Sequence, residues 1–356
     1  MVEWKTIGEI TNIVRGNRIT KSELLDNGIY PVISGGVTPL GYIDKYNREP
    51  NTITIAQYGS AGYIDYQQKK FWANDVCYSV YPKSSVDNKY LFYALVNKQY
   101  DIYSLRTNAV PAHLPLKSLQ DVKIPVPSLE EQNRIVGILD TFTDSIENLK
   151  QQIDQRRKQY EHYRDQLLEL EGKEGVEWKK LNTVCEVING RAYKQQELLA
   201  TGKYRVLRVG NFFSNDSWYF SDLELDDKYY CNEGDLLYAW SASFGPHIWT
   251  EEKTIYHYHI WKMNCSEELD KKYMFYWLQS ENMRKQAFSH LHGATMAHLT
   301  KALMESLNVP LLPLSEQQRI VSILDTFEAS ISNLEAQLAQ RQKQYEYYRN
   351  QLLTFE

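Results

Sequence analysis

The sequence predicts a mixed α/β (α+β) protein with an internal pseudo-twofold repeat: two similar domains at opposite ends of an antiparallel two-helix coiled coil. Three observations predict it. The stretch Glu131–Leu168 returns 185 residues later as Glu316–Leu353, with 26 of 38 positions identical. Both copies place apolar residues at alternating steps of four and three. The segments between them are more diverged repeats, patterned as strands, glycine turns and short helices.

In the first copy the seam runs Ile135, Leu139, Phe142, Ile146, Leu149, Ile153, Arg156; in the second, Ile320, Leu324, Phe327, Ile331, Leu334, Leu338, Arg341. Sustained 4-3 steps mark a coiled-coil seam, since an ordinary surface helix carries a wider apolar stripe. Arginine interrupts both copies at the same place. Each is expected to pair with a carboxylate or tyrosine across the hairpin, setting register at some cost in stability.

Each helix has a start signal. Pro125 and Pro127 precede Ser128, with Glu131 three residues on, as in a capping box. Pro310 and Pro313 precede Ser315, with Gln318 in the matching role. A helix from Ser128 to Leu170 would be about 64 Å long at about 1.5 Å per residue. A compact domain the size of the intervening segment has a radius of gyration of only about 14 Å and cannot easily carry the chain back along such a rod. The helices are therefore expected to pair antiparallel. The implied organisation is a first domain over 1–126, a helix over 127–172, a second domain over 173–311 and a second helix over 312–356.

No apolar run of membrane length and no signal-peptide pattern occurs. Cys77, Cys185, Cys231 and Cys265 form no CxxC pair, so a disulfide framework or thiolate zinc site is not indicated, and a reducing cytoplasmic setting is expected. The net charge of −5 by itself argues against a general polyanion binder. By segment, however, residues 1–125 are net +3 and residues 126–175 net −4, so the acid sits mainly on the helices.

The globular segments align from VEWK at Val2 and Val176, through Gly16/Gly190 and Gly36/Gly210, to Ala112-His113-Leu114 and Ala297-His298-Leu299. The second carries an insertion between Gly210 and Gly234. A constant frame with variable loops is how a scaffold looks when its loops carry specificity. In the first segment NTITIAQYGSAGYIDY is expected to form strand, turn and strand, FWANDVCYSVYP a strand, and KYLFYALVNKQYDIYSL a helix. In the second, GDLLYAW and TIYHYHIWKM are expected strands and KKYMFYWLQSENMRKQAF a helix.

Two diverged globular domains alternating with two near-identical helices resemble the specificity subunit of type I DNA restriction–modification systems. The duplicated helix starts IPVPSLEEQNRIV and VPLLPLSEQQRIV carry the likeness most specifically, together with YPVISGGVTPLGYID, GSAGYI and FWANDVC. The resemblance spans essentially the whole chain. It implies that each domain is a target-recognition domain reading one half of a bipartite double-stranded DNA sequence. It further implies that the helices act as spacer and docking surface for two DNA adenine methyltransferase subunits, which restriction subunits join. The chain is on the short side for that family, which bears on the spacer length.

Candidate DNA-binding residues are Gly35, Gly36, Gln57, Tyr58, Ser60, Lys69 and Lys70 in the first domain, and Lys194, Arg205, Arg208, Asn211, Trp240, Ser241 and Ser243 in the second. Glycines let backbone N–H groups approach phosphates, although ordinary turns use them equally. The cations would contact phosphates or, as arginine does, read guanine; a solvated lysine pair is the commoner role. Most tyrosines of so aromatic a chain must be core or rim.

His257 and His259, expected to alternate on one strand, with His247, His290 and His292 nearby, lack a completing cysteine or carboxylate, so no metal site is expected. No cofactor is expected either. With no GxxxxGK phosphate loop, no Pro-Pro dipeptide and no Ser/His/Asp or Cys/His arrangement, the chain is read as non-catalytic. The alternative from another class is a non-enzymatic coiled-coil scaffold whose two domains bind proteins. Steeply salt-dependent binding to a specific duplex would separate the two readings.

Overall fold

The computed structural model describes residues 2–213, 215–241, 243–288 and 299–355, so His290, His292 and His298 lie outside the described residues. It divides into two compact units, one of Met1–Gln151 with Glu335–Glu356 and the other of Gln152–Leu334. Each long helix, Leu129–Leu168 and Leu314–Leu353, runs 40 residues and contributes to both units. No described helix is long and apolar enough to cross a membrane.

The two units repeat one topology. In the first, strands Thr11–Arg15, Cys77–Pro82, Thr52–Ala56 and Ile64–Gln67 lie side by side, antiparallel throughout. In the second, Cys185–Asn189, Ile260–Cys265, Leu236–Ser241 and Ser243–Ile248 take the same places. A smaller sheet accompanies each, with one parallel pairing: Val32 opposite Trp72, and Val206 opposite Ile255. A two-stranded ribbon closes each unit, Glu3 opposite Val126 and Glu177 opposite Leu311.

Two expected strands are each divided. FWANDVCYSVYP becomes Trp72–Ala73 in the small sheet and Cys77–Pro82 in the large one. TIYHYHIWKM likewise becomes Thr254–Tyr256 and Ile260–Cys265, so His257 and His259 sit in a sheet-switching turn and do not alternate along a strand. The switch explains the aligned Gly16 and Gly190. A Cβ on Gly16 would meet the Ala73 carbonyl oxygen at 2.1 Å, and one on Gly190 the His257 carbonyl oxygen at 2.4 Å. Only glycine lets the edge strand pass so close to the crossing backbone.

The expected helices also break. Asn88–Asn97 is followed by Gln99–Ser104, and Lys271–Trp277 by Glu281–Phe288. Ser128 caps its helix as expected, its hydroxyl accepting the Glu131 N–H at 3.3 Å, but the Glu131 carboxylate turns to Arg134. Ser315 does not cap. Pro313 occupies the position aligned with Ser128, its carbonyl accepts the Glu316 N–H at 2.8 Å, and the helix begins at Leu314.

The large sheet of each unit buries its apolar face against helices. Ile53, Ile55, Tyr78 and Val80 share a core with Tyr90, Leu91 and Ala94, and with Ile135, Leu139 and Leu353 of the long helices. In the second unit Tyr238, Trp261 and Met263 share a core with Tyr273, Trp277, Leu168, Ile320 and Leu324. Truncating one such leucine to alanine costs about 2–5 kcal/mol. The seam is therefore a domain core at its outer residues.

Within each unit the long helices run antiparallel. Phe142 stacks on Tyr348 with centroids 5.2 Å apart, while Ile135 and Leu139, earlier on their helix, share a core with Leu353, later on its own. Tyr163 stacks on Phe327 at 5.4 Å, with Leu168 packed in the core of Ile320 and Leu324. Among the described residues the seam arginines pair with neither a carboxylate nor a tyrosine. Arg341 lies over the Phe142 ring at 5.7 Å and Arg156 over the Phe327 ring at 5.9 Å. A planar guanidinium can take the face of an aromatic ring within about 6 Å, which keeps it satisfied without desolvating a carboxylate.

Candidate nucleic-acid interface

In the first domain, the candidate glycines hold two turns together. Gly59 has φ +72°, and a Cβ there would meet the Gly35 carbonyl oxygen at 2.6 Å; one on Gly35 would meet the Tyr58 carbonyl oxygen at 2.4 Å. The Ser60 N–H donates to the Gly35 carbonyl at 2.7 Å. Gly36 continues this loop and lines a small recess with Thr38 and Asp65. Tyr58 stacks on His113 at 5.3 Å, and the Thr107 hydroxyl contacts His113 Nδ1 at 3.0 Å. Gln57 lies inside this assembly, 3% exposed, so it shapes the turn and presents no accessible side chain.

Lys69 is exposed. Lys70 is committed: its ammonium donates to the Tyr46 hydroxyl at 2.7 Å, sits over that ring at 4.0 Å and lies 3.7 Å from Glu49. Its charge is already answered.

The second domain separates its two arginines. Arg205 is held by Glu251 at 2.6 Å and Glu252 at 2.8 Å while packing over Trp218. Reading guanine would require breaking both pairs. Arg208 is exposed, lies over the Tyr219 ring at 5.2 Å and forms no ion pair among the described residues. Asn211 is spent on structure. Its oxygen accepts the Arg208 N–H at 3.1 Å, and its amide donates to the Asn215 and Ser217 carbonyls at 2.9 and 3.0 Å. It latches the loop that presents Arg208.

Beside Arg208 lies the sheet-switching turn. The His257 N–H donates to the Leu207 carbonyl at 2.9 Å, and the Tyr258 N–H to the Arg191 carbonyl at 3.0 Å. Burial, then the neighbouring His259 and Arg208, hold His257 down to about 4, so its ring is neutral near pH 7. Tyr258 is 39% exposed. The Trp240 indole donates to the Tyr258 carbonyl at 2.8 Å and stacks on Trp261 at 5.6 Å, anchoring the turn from behind. Ser241 is half-buried opposite Ser243 at the hairpin end; the Ser243 side chain lies outside the described residues. Lys194 is exposed, its backbone N–H tied to Glu197 at 2.8 Å.

The structure thus brings Arg208, Asn211 and the Trp240 turn into one surface region and leaves Arg205 tied to its glutamates. His113 and Tyr258 sit at these turns without being singled out by the sequence. His113 was visible only as part of an aligned triplet, and Tyr258 only as one more aromatic in an expected strand. Among the described residues no group of three or more His, Cys, Asp or Glu side chains could hold a metal ion.

A sequence profile described as the type I restriction modification DNA specificity domain matches residues 1–156 and again 173–342. A Haemophilus influenzae chain provisionally named a type I restriction enzyme specificity subunit is 29% identical over 99% of this chain and 96% of its own length. The EcoR124I/EcoR124II specificity subunit of Escherichia coli is 27% identical over 99% of this chain and 94% of its own. Among solved structures, the S subunit of a type I restriction–modification system from M. genitalium superposes with TM-score 0.66 at 19% identity, covering 100% of this chain and 97% of that one.

Proposed function

The chain belongs to the type I restriction–modification DNA specificity family, and we propose that it reads a bipartite double-stranded DNA target, one half with each domain. The observation that carries this is the double match: one specificity-domain profile falls on two domains of the same strand topology. Two copies of one scaffold with different loops suit two different half-sites. On the described surfaces, Lys69, Lys194 and Arg208 are the exposed cations proposed to meet DNA, and Tyr58, Tyr258 and the turn backbone are further proposed contacts.

The chain supplies recognition and leaves catalysis to its partners. Its relatives are named specificity subunits, and methyl transfer and cleavage are proposed to come from adenine methyltransferase and restriction subunits docked on the paired helices. The test is binding of the chain, assembled with its methyltransferase, to duplexes bearing and lacking the target across a salt series. Each phosphate contact contributes a log–log slope of about −0.9, so target binding should weaken steeply with salt while keeping its preference over the control duplex. Equal, salt-independent binding to both duplexes would contradict the proposal, as would methyl transfer by the chain alone with S-adenosylmethionine.

A further inference from the structure

We propose that Cys185 and Cys265 form a reversible cross-strand disulfide, making the second domain's central sheet a thiol-oxidation site. The two residues are directly opposite in the antiparallel pairing of Cys185–Asn189 with Ile260–Cys265. The Ser266 N–H donates to the Val184 carbonyl at 2.9 Å and the Gly190 N–H to the Ile260 carbonyl at 3.1 Å. Both fall on hydrogen-bonded pairs of the register, and such pairs alternate, so the cysteines occupy a non-hydrogen-bonded pair. There opposed Cα atoms lie about 4.5 Å apart, within the span of about 4.4–6.8 Å that a disulfide bridges. The Sγ atoms are 4.0 Å apart, a gap that side-chain rotation can close.

The two thiols are unequal. Cys185 is 4% exposed and Cys265 is more open; both line a surface recess walled by Thr183, Glu186, Asn264 and Lys301. A hydrogen bond with Cys185, and the nearby Lys271 ammonium, favour the Cys265 thiolate against the cost of its burial. Cys77 and Cys231 are fully buried, and burial pushes each up to about 12. In the first domain the same pair of positions holds Thr11 opposite Pro82, so that sheet cannot be cross-linked.

The oxidant is a low-molecular-weight disulfide such as glutathione disulfide. The Cys265 thiolate attacks one of its sulfurs, forming a mixed disulfide and expelling one glutathione thiolate. The Cys185 sulfur then loses its proton, attacks Cys265 Sγ and expels the second. Two thiols are oxidised by two electrons, one small disulfide is reduced to two thiols, and both protons end on glutathione. The closed loop contains Lys194, Arg208 and Trp240, so the bond restrains the second domain's candidate interface.

The test is exposure of the full chain to glutathione disulfide under native conditions, followed by thiol titration and non-reducing peptide mass mapping. The expected result is loss of two of the four free thiols, one peptide pair joining Cys185 to Cys265, and reversal by dithiothreitol. Cys185→Ser should instead accumulate a glutathione adduct on Cys265, and Cys265→Ser should leave Cys185 unmodified. A stable adduct on Cys265 in the unsubstituted chain, bonds to Cys77 or Cys231, or four thiols unchanged when a control dithiol is fully oxidised would each overturn the proposal.

Discussion

The carboxamide oxygen of Gln132 accepts the Asp87 backbone N–H at 2.8 Å, and Asp87 in turn caps the helix Asn88–Asn97 by accepting the Tyr90 N–H. The Gln132 amide donates to the Ser85 and Pro127 carbonyls at 3.2 and 2.8 Å. Gln317 repeats the arrangement, accepting from Asp270 at 2.8 Å and donating to the Glu268 and Leu312 carbonyls at 2.8 and 2.7 Å. Both glutamines are fully buried. The repeated glutamine at each long helix start is thus a buried latch holding that helix to its own domain's capped helix.

Replacing either glutamine should therefore destabilise the unit that contains it. Gln132→Leu removes one acceptor and two donated bonds from a buried site, and each buried group left unsatisfied costs about 1–3 kcal/mol. Denaturant unfolding followed by hydrogen exchange should place the loss in the first domain for Gln132→Leu and in the second for Gln317→Leu. Unchanged midpoints would show that water replaces the amide.

Arg208 and Arg205 should separate binding from stability. Arg208→Gln is expected to weaken target binding by the methyltransferase-assembled chain, lowering the log–log salt slope by about 1 if the contact is to phosphate. Arg205→Gln should act on the fold, since it releases Glu251 and Glu252; partly exposed pairs of this kind are worth about 1 kcal/mol or less. Duplex titrations and melting curves on both variants check this. Binding lost with Arg205 and retained without Arg208 would reverse the assignment.

Acid should loosen the second domain through His257. Its folded value lies near 4, below the ordinary histidine value of 6.5, because burial disfavours the imidazolium. Between those values the unfolded chain binds the extra proton, so stability is present above about pH 6.5 and declines as pH falls towards 4. Melting temperatures of the unsubstituted chain and His257→Gln between pH 7.5 and 5 should converge as the pH falls. Parallel profiles would show that His257 does not titrate with folding.

How much of this was legible in the sequence depends on how local the signal is. The long helices were, because their 4-3 apolar spacing needs no tertiary information. Their arginines were recognised as interruptions, but the partner could not be named: Phe142 and Phe327 were themselves counted as seam, and only packing shows that a ring face is shared with a guanidinium. Strand divisions were hidden because aromatic and β-branched residues flank both switches in FWANDVCYSVYP and TIYHYHIWKM, so Asn74-Asp75 and His257–His259 read as polar positions within one continuous strand. Charge misled at Arg205 and Lys70, whose partners are distant in sequence or arrive from another turn.

The helices should set the gap between half-sites. Deleting Leu149–Gln155 together with Leu334–Gln340 removes one heptad from each and keeps the seam in phase. At about 1.5 Å per residue the loss is about 10 Å, or up to about three base pairs at about 3.4 Å each. Both half-sites should persist with a shorter spacer, or binding should be lost. A changed half-site with the spacer intact would refute this division of labour.

Bipartite reading is tested most directly by mapping methylated adenines genome-wide in a host that expresses this chain with its partner methyltransferase. The predicted result is one motif of two half-sites separated by a constant unread gap, with Arg208→Gln altering or erasing only one half. A continuous motif, or a motif in which that substitution degrades both halves equally, would contradict it.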